Sequence, residues 1–278
     1  MLSSVLLRAS FYFNSFRLSS GITMVSTIPA LVINSTRKLW RYFKAPLVRE
    51  MAKRLSLIEL SMLQLEKRTH SRPYFIQVGA NDGNSADPFR FLSKNWAGLM
   101  IEPQPEPFEK LVKNYASNSL LEFENVAICN ESSWLTLYGI NLPQNALSSG
   151  ITSSNKEVIQ KQFATGYIST LANQVKTSLP INHEEIIVET KVKAVTLKHL
   201  IAARGINSVN ALFIDVEGHE YSVLRSFPWE KILPGLVVYE HIHLTESEAA
   251  ACSHLLKTHG YALIIDGMDT IAIHGQDV

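Results

Sequence analysis

The chain has 278 residues, of which 46% are hydrophobic and 18% charged, and its formal net charge is +1. This balance excludes a disordered or collagen-like chain, argues against nucleic-acid binding through the overall field of the protein, and leaves room for one domain with an appendage or for two small domains. The two cysteines, Cys129 and Cys252, have neither metal-site spacing nor the density of a disulfide framework, which favours a reducing compartment and predicts a cytoplasmic protein.

The N-terminal segment is basic. Its first acidic residue is Glu50, and the basic residues before it are scattered among serines and apolar side chains, a composition typical of an organelle transit peptide. The apolar stretch 22–33 contains Pro29 and several polar residues, and it is too short and too polar for a membrane span. Residues 1–45 are therefore predicted to be an extension that is either poorly ordered or used for organelle targeting or weak attachment to a membrane surface.

An amphipathic helix is predicted within residues 46–70. Hydrophobic residues recur there at three- and four-residue steps from Leu47 to Leu65, with charged residues such as Lys53 and Arg54 between them. Packing of the apolar face on the following domain is the favoured role of this helix, and binding of a membrane or a partner is the alternative.

Residues 71–278 alternate short apolar runs with helical patterns, which predicts an α/β domain with a mostly parallel sheet and helices on both of its faces. The predicted strands of this sheet are 74–78, 98–101, 120–128, 211–214 and 236–239. The predicted helices are 88–95, 107–116, 197–203 and 221–227. Ligands of such sheets bind at the carboxyl ends of the strands.

The alternation lapses between residues 139 and 183, where the chain is rich in Ser, Asn, Thr and Gln and has a weak helical pattern at 158–163. Strands are predicted on either side, at 134–138 and 186–195. Long irregular insertions in compact domains are usually functional. We expect residues 139–183 to form a lid or a substrate-contacting segment, with a disordered surface loop as the alternative.

The C-terminal region predicts a helix and a hairpin. Thr245 and Glu248 form a capping-box pattern before a helix at 249–259, and Gly260 ends that helix. Two strands follow, at 261–265 and 270–273, joined by a short turn that contains Gly267. The parallel sheet is therefore predicted to end in an antiparallel hairpin.

A loop with two glycines and an acid ends the first predicted strand, with the residues Gly79, Asn81, Asp82 and Gly83. A dinucleotide site would have G-x-G-x-x-G and bare amides facing a pyrophosphate, whereas here the second glycine comes two positions late and Asp82 would repel phosphate. The loop therefore favours a cofactor with a positive centre and no phosphate, such as S-adenosylmethionine. An ordinary turn is the alternative.

Glu102 stands at the end of the second predicted strand, 102 − 83 = 19 residues beyond Gly83. This is about the spacing at which an acid accepts hydrogen bonds from both ribose hydroxyls of an adenosine. A surface carboxylate before a proline-rich turn is the alternative.

Three carboxylates follow the strand in "LFIDVEGHE", at Asp215, Glu217 and Glu220. Asp215 could hold the amino group of the cofactor or take a proton from a substrate hydroxyl. Glu220 is interpreted as a carboxylate that suits the positive end of a helix dipole.

The segment "LVVYEHIH" places His241 and His243 on one face of a continued strand and Glu240 on the other. One imidazole is expected to act as a base and the other to be structural. A divalent metal could bind an H-x-H pair with a carboxylate, but no third ligand is fixed by the spacing, so no metal site is predicted.

The chain resembles the FkbM family of S-adenosylmethionine-dependent methyltransferases over roughly residues 71–273. The resemblance lies in the motifs "IQVGANDG", "IEPQPEPFEKL", "NVAI", "LFIDVEGHE" and "VVYEHIH", in this order. It implies a Rossmann-like class I methyltransferase fold, with seven strands of which the last is antiparallel.

The resemblance also implies roles for site residues. Gly79, Asn81, Gly83 and Glu102, together with the neighbouring Asp82, would hold the cofactor. Asn125 and Ala127 would line the adenine, and Asp215 would face the methionine end or the reacting centre.

The expected reaction is O-methylation of a hydroxyl on a sugar, a glycan or a small natural product, by in-line displacement. Asp215, Glu240 or His241 is expected to take the proton, with Glu217 and His243 as supporting groups that contact the substrate. No nucleic-acid partner is expected, and the oligomeric state is not predicted. The alternatives are a degenerate methyltransferase domain that serves only for binding, and a nucleotide-cofactor oxidoreductase.

Overall fold

The computed structural model describes residues 56–83, 95–141, 152–174 and 176–275. The predicted basic extension, the first part of the predicted amphipathic helix and nearly all of the predicted helix 88–95 lie outside these ranges. The chain divides into two compact units, residues 1–60 and 61–278, and the site described below lies in the second. The bounds predicted for the domains stay predictions.

The described residues form two sheets and several helices. The strands are β1 (Tyr74–Val78), β2 (Ala97–Ile101), β3 (Leu121–Glu124), β4 (Ala127–Ile128), β5 (Ser133–Ile140), β6 (Thr152–Ser153), β7 (Ile187–Val195), β8 (Ala211–Ile214), β9 (Leu236–Glu240), β10 (Tyr261–Asp266) and β11 (Asp269–His274). The α-helices are α1 (Leu57–Arg68), α2 (Pro105–Asn114), α3 (Lys156–Ala164), α4 (Tyr167–Gln174), α5 (Leu197–Ala203), α6 (Glu220–Arg225) and α7 (Glu246–Thr258), and a 3-10 helix spans His183–Ile186.

The large sheet has seven strands in the order β3-β2-β1-β8-β9-β11-β10. Neighbouring strands are parallel except for β11, which runs antiparallel to both β9 and β10. The predicted fold class, a mostly parallel Rossmann-like sheet with a C-terminal antiparallel hairpin, is confirmed.

The strand order reverses between β1 and β8, and this reversal is where open α/β sheets bind ligands. Val78 of β1 pairs with Ile101 of β2 on one side and with Ile214 of β8 on the other. Because the three strands are parallel and in this register, the residues that follow them, Gly79, Glu102 and Asp215, come out at the same edge of the sheet.

The second sheet has four strands in the order β4-β7-β5-β6, with β5 and β7 antiparallel over eight residue pairs. The prediction of a single third strand over 120–128 was therefore wrong. The strand ends at Glu124, and after two further residues the chain joins the small sheet as β4, where Ala127 pairs with Ala194.

The predicted insertion 139–183 contains more regular structure than its polar composition suggests. Within its described residues lie β6, α3 and α4, and α3 is capped by Asn155, whose side chain accepts a hydrogen bond from the backbone N–H of Glu157. Ile159 and Phe163 of α3 are buried in a small apolar cluster with Ile140. This cluster stabilises the insertion as a folded layer.

The core of the large sheet follows from local sequence patterns. All four residues of β8 are buried, as expected for a central strand covered on both faces. The predicted capping box of α7 is confirmed, with Thr245 and Glu248 bonding reciprocally to each other's backbone N–H groups. Of the helices that the structure describes, none is long and apolar enough to cross a membrane.

Candidate active site at the carboxyl ends of the strands

The loop after β1 touches the loop after β8. Gly79 has a φ of +84°, and a Cβ atom there would lie 1.7 Å from the backbone oxygen of Asp215. The backbone N–H groups of Gly79 and Ala80 both donate to the carbonyl of Ile101 at the end of β2. Only glycine allows three strand ends to approach so closely at this position.

Helix α2 and the residue after it hold the second half of this loop. The side-chain amide of Asn114 donates to the backbone oxygen of Asp82 at 2.8 Å, and the Tyr115 hydroxyl donates to that of Gly83 at 3.0 Å. A Cβ atom on Gly83, whose φ is +70°, would lie 2.3 Å from the Tyr115 ring. The loop conformation is therefore held by contacts within the protein.

Glu102 is 4% exposed, and its side chain is hydrogen-bonded to the glycine loop. One of its carboxylate oxygens accepts the backbone N–H of Asn81 and the other that of Gln104, both at 2.9 Å. Burial raises the pKa of the Glu102 carboxyl to about 7. Each oxygen has a second lone pair, so the predicted acceptance of ribose hydroxyls fits this geometry, and such donors would favour the charged form.

Two residues predicted to line the adenine have different surroundings. The side-chain amide of Asn125 donates to the backbone oxygens of Glu102, at 2.8 Å, and of Pro103, at 3.2 Å, and so braces the end of β2. Ala127 is buried in the core of the small sheet, beside Ala194. Contact of either residue with a cofactor stays a prediction.

Asp215 is exposed at the edge of the sheet, directly after β8. Its backbone N–H donates to the carbonyl of Val78 at 3.0 Å. Its charge contributes to raising the pKa of Glu102 on one side and of Glu240 on the other. Asp215 therefore lies between the glycine loop and a second group of acids.

That second group consists of Glu217, Glu240 and His243, which we call the acidic trio. Nε2 of His243 lies 2.9 Å from Oε2 of Glu217 and 3.8 Å from Oε2 of Glu240. The hydrogen bond with Glu217 is the main cause that raises the pKa of His243. Burial, reinforced by the charges of Asp215 and Glu217, raises the pKa of Glu240 to about 9.

The sequence did not predict this grouping. It placed His243 on the opposite face from Glu240, which was wrong, because β9 ends at Glu240 and the chain turns, with the N–H of Leu244 donating to the carbonyl of His241. His241 lies instead against the hairpin, where its Nδ1 is 3.1 Å from the Thr270 hydroxyl. His243, rather than His241, is therefore the imidazole that joins the carboxylates.

Residues of the insertion hold Glu217 in an uncommon conformation. Glu217 has a φ of +55°, which costs a non-glycine residue of the order of 1–3 kcal/mol. The Ser153 hydroxyl donates to its backbone oxygen at 2.6 Å, and the Gln162 amide lies 3.4 Å from its carboxylate. Near Glu102, the Thr152 hydroxyl donates to the side-chain oxygen of Gln104 at 3.1 Å. Sequence reasoning missed these residues because nothing local in the insertion marks them.

Glu220 stabilises the loop that follows β8 from the buried side. It is fully buried at the first residue of α6, and its Oε1 accepts the backbone N–H groups of Val216, at 3.3 Å, and Gly218, at 3.1 Å. Burial raises its pKa to about 7. Glu220 thus shapes the segment that presents Asp215 and Glu217.

Comparison with known proteins assigns the chain to a family. Residues 77–263, more than half of the chain, match the family described as "Methyltransferase FkbM domain". The chain is 29% identical over 202 residues to the 31-O-demethyl-FK506 methyltransferase FkbM of Streptomyces tacrolimicus, a match that covers 68% of this chain and 72% of that protein.

Solved structures of other methyltransferases are similar at low identity. A putative caffeoyl-CoA O-methyltransferase from Staphylococcus aureus is 11% identical with a TM-score of 0.40, covering 87% of this chain and 98% of that one. An rRNA methylase from Streptococcus thermophilus is 7% identical with a TM-score of 0.41, covering 79% of this chain and 97% of that one. On the family match, the chain belongs to the FkbM family of methyltransferases, as its sequence motifs indicated, and this membership implies S-adenosylmethionine as the methyl donor.

Proposed function

We propose that the protein methylates a hydroxyl oxygen of a sugar, a glycan or a small natural product. The observation that carries this proposal is the acidic trio beside Asp215, at the strand edge that also holds the glycine loop. A hydroxyl is a poor nucleophile until it loses its proton, and a group of carboxylates with an imidazole can position and deprotonate it. The O-demethyl acceptor in the name of the Streptomyces relative supports an oxygen as the target.

The glycine loop and Glu102 form the cofactor side of the cleft. S-adenosylmethionine carries its methyl group on a cationic sulfur. An oxygen nucleophile can attack the methyl carbon and displace the sulfur. Gly79 lets the backbone approach the ligand, Glu102 accepts the ribose hydroxyls, and Asp215 faces the cationic end. The many carboxylates favour a cation and disfavour the pyrophosphate of a nicotinamide cofactor, which argues against an oxidoreductase.

On the acceptor side, Asp215 is the proposed proton acceptor because it is exposed and lies between the cofactor loop and the trio. The side chains of Glu217, Glu240 and His243 are the proposed contacts for the acceptor hydroxyl. The β6 and α3 segment of the insertion positions Glu217 and is proposed to cover the cleft, because water must be excluded for efficient transfer.

Calorimetry with S-adenosylmethionine and NAD tests the cofactor half of this proposal. We expect binding of S-adenosylmethionine and no binding of NAD, and the reverse result would contradict the proposal. A screen of sugar and natural-product acceptors then tests the transfer, with Asp215→Asn expected to reduce kcat at least about a hundredfold, the usual contribution of a general base. Cofactor binding without transfer to any acceptor would favour the alternative of a binding module.

A further inference from the structure

We propose that Glu217, Glu240 and His243 bind a divalent cation of the Mn²⁺ class, which holds the oxygen of the acceptor. This inference rests on the proposed function, since it assigns to the trio the task of binding the hydroxyl that is methylated. It adds a metal requirement that the sequence did not predict.

The first argument is the spacing of the three side chains. One ligand atom from each of Glu217, Glu240 and His243 lies within 4.8 Å of the other two. Nitrogen and oxygen ligands hold divalent transition metals at about 2.0–2.2 Å, so ligand atoms around one ion are roughly 3–4.4 Å apart. The distances of 2.9 Å and 3.8 Å from His243 to the two carboxylates already fall close to this range.

The second argument is a pair of buried carboxylate oxygens without donors. Among the described residues, Oε2 of Glu240 and Oε2 of Glu220 are buried and have no hydrogen-bond partner. Glu220 is fully buried, and its other carboxylate oxygen accepts backbone N–H groups of the loop that carries Glu217. A buried unpaired carboxylate oxygen is costly, and a cation at the trio would offset this cost at Glu240.

The third argument is the support behind Glu217. Hydrogen bonds that orient a metal ligand are part of most metal sites. Here the Ser153 hydroxyl fixes the backbone of Glu217 and the Gln162 amide approaches its carboxylate. A Cβ atom on Gly218 would lie 3.3 Å from the backbone oxygen of His243, so the two loops that carry the ligands are in close contact.

The ligand set indicates the kind of ion and its use. Two carboxylates with one imidazole suit a first-row divalent cation that accepts both oxygen and nitrogen, such as Mn²⁺, rather than Ca²⁺ or Cu⁺. Three protein ligands leave coordination positions open, as in catalytic metal sites. An acceptor hydroxyl in an open position has a lower pKa. Its proton passes to Asp215, its oxygen forms the new O–C bond, and the electron pair of the broken S–C bond stays on sulfur.

This inference is tested on the full chain after EDTA treatment. The protein is titrated with Mn²⁺ alone, and binding is measured by electron paramagnetic resonance. We expect one Mn²⁺ per chain, and we expect Glu240→Gln and His243→Ala each to weaken binding at least about tenfold. His254→Ala removes an exposed imidazole from α7, outside the trio, and is expected to bind Mn²⁺ like the unaltered protein. Absence of Mn²⁺ binding, or binding that neither trio substitution weakens, would overturn the inference.

The same preparations separate this inference from the proposed function. Calorimetry with S-adenosylmethionine on the metal-free protein and on both trio variants is expected to show unchanged cofactor affinity, which also shows that the variants are folded. Cofactor binding without Mn²⁺ binding contradicts the metal site and leaves the methyltransferase assignment intact. If the unaltered protein does not bind S-adenosylmethionine, the proposed cofactor half of the site is contradicted.

Discussion

Two constraints require glycine at Gly79, namely the local backbone conformation and the close approach of two loops. Its positive φ costs another residue about 1–2 kcal/mol, and a Cβ atom would overlap the backbone oxygen of Asp215. We therefore expect Gly79→Ala to lower the free energy of unfolding by at least about 2 kcal/mol and to abolish cofactor binding, as measured by urea unfolding and calorimetry.

Gly267 offers a matched control for that substitution. It also has a positive φ, +63°, but a Cβ atom there would have no neighbour within 4 Å. Gly267→Ala should therefore cost only the backbone strain, about 1–2 kcal/mol, and should leave cofactor affinity unchanged. Equal effects of the two substitutions on stability and binding would show that the close approach at Gly79 is not required.

We expect Glu102 to make cofactor binding dependent on pH. Burial raises its pKa from 4.5 to about 7 in the folded protein, so the charged form that ribose hydroxyls favour is lost as the pH falls below about 7. We expect the affinity for S-adenosylmethionine to fall about tenfold for each pH unit below 7 and to level off above it. Calorimetry between pH 5.5 and 8.5 measures this profile.

Glu102→Gln is the control for the pH profile. The amide keeps the size of the side chain but does not titrate, so this component of the pH dependence should disappear while the affinity at pH 8 falls at least about tenfold, the value of a hydrogen bond to a charged group. An unchanged profile in the variant would assign the titration to the cofactor or to another residue.

The sign of the effect on stability is opposite to that of the usual surface acid. Because the folded pKa of Glu102 is above its ordinary value, the unfolded chain releases this proton first. The contribution of Glu102 to the free energy of unfolding is therefore lost as the pH rises from about 4.5 to about 7.

Helix α3 of the insertion contacts the proposed acceptor site through one side chain. Gln162 approaches the Glu217 carboxylate, whereas Gln160, two residues earlier, is exposed and donates to Glu184. We expect Gln162→Ala to lower kcat about tenfold with unchanged cofactor affinity, because Glu217 loses a group that orients it. Gln160→Ala should leave both quantities unchanged, and a similar loss of kcat in both variants would contradict the positioning role of Gln162.

Helix α7 supports the outer part of the large sheet, and its first turn depends on a side-chain cap. Thr245 and Glu248 satisfy each other's backbone N–H groups there. Thr245→Ala is expected to lower the free energy of unfolding by about 1 kcal/mol, as is usual for loss of such a cap. His254→Ala, exposed in the middle of the same helix, should change it by less than about 0.5 kcal/mol in urea unfolding.

Ligand binding should stabilise the folded chain as a whole. S-adenosylmethionine at one hundred times its dissociation constant adds about 2.7 kcal/mol to the free energy of unfolding, which corresponds to roughly 5–11 °C in Tm for a domain of this size. A thermal-shift measurement should show this increase with S-adenosylmethionine and no increase with NAD. A shift with NAD alone would contradict the proposed cofactor.

The sequence by itself determined most strands of the large sheet and the approach of the glycine loop to Glu102. The predicted bounds of β1, α5 and β8 agree with the structure, because an apolar run and a glycine after a helix are signals carried by neighbouring residues. The association of the glycine loop with Glu102 was also predictable, since parallel strands in register place their carboxyl ends at one edge.

The tertiary structure decided the remainder. The turn after Glu240 brings His243 to Glu217, and the break after Glu124 sends the chain into the small sheet. The hydrogen bond from Ser153 to Glu217 joins residues 64 positions apart. These features depend on contacts between distant parts of the chain. Such contacts produce no periodic pattern in the sequence around each partner. The sequence therefore specified a methyltransferase fold with its glycine loop, and tertiary packing assembled the acidic trio.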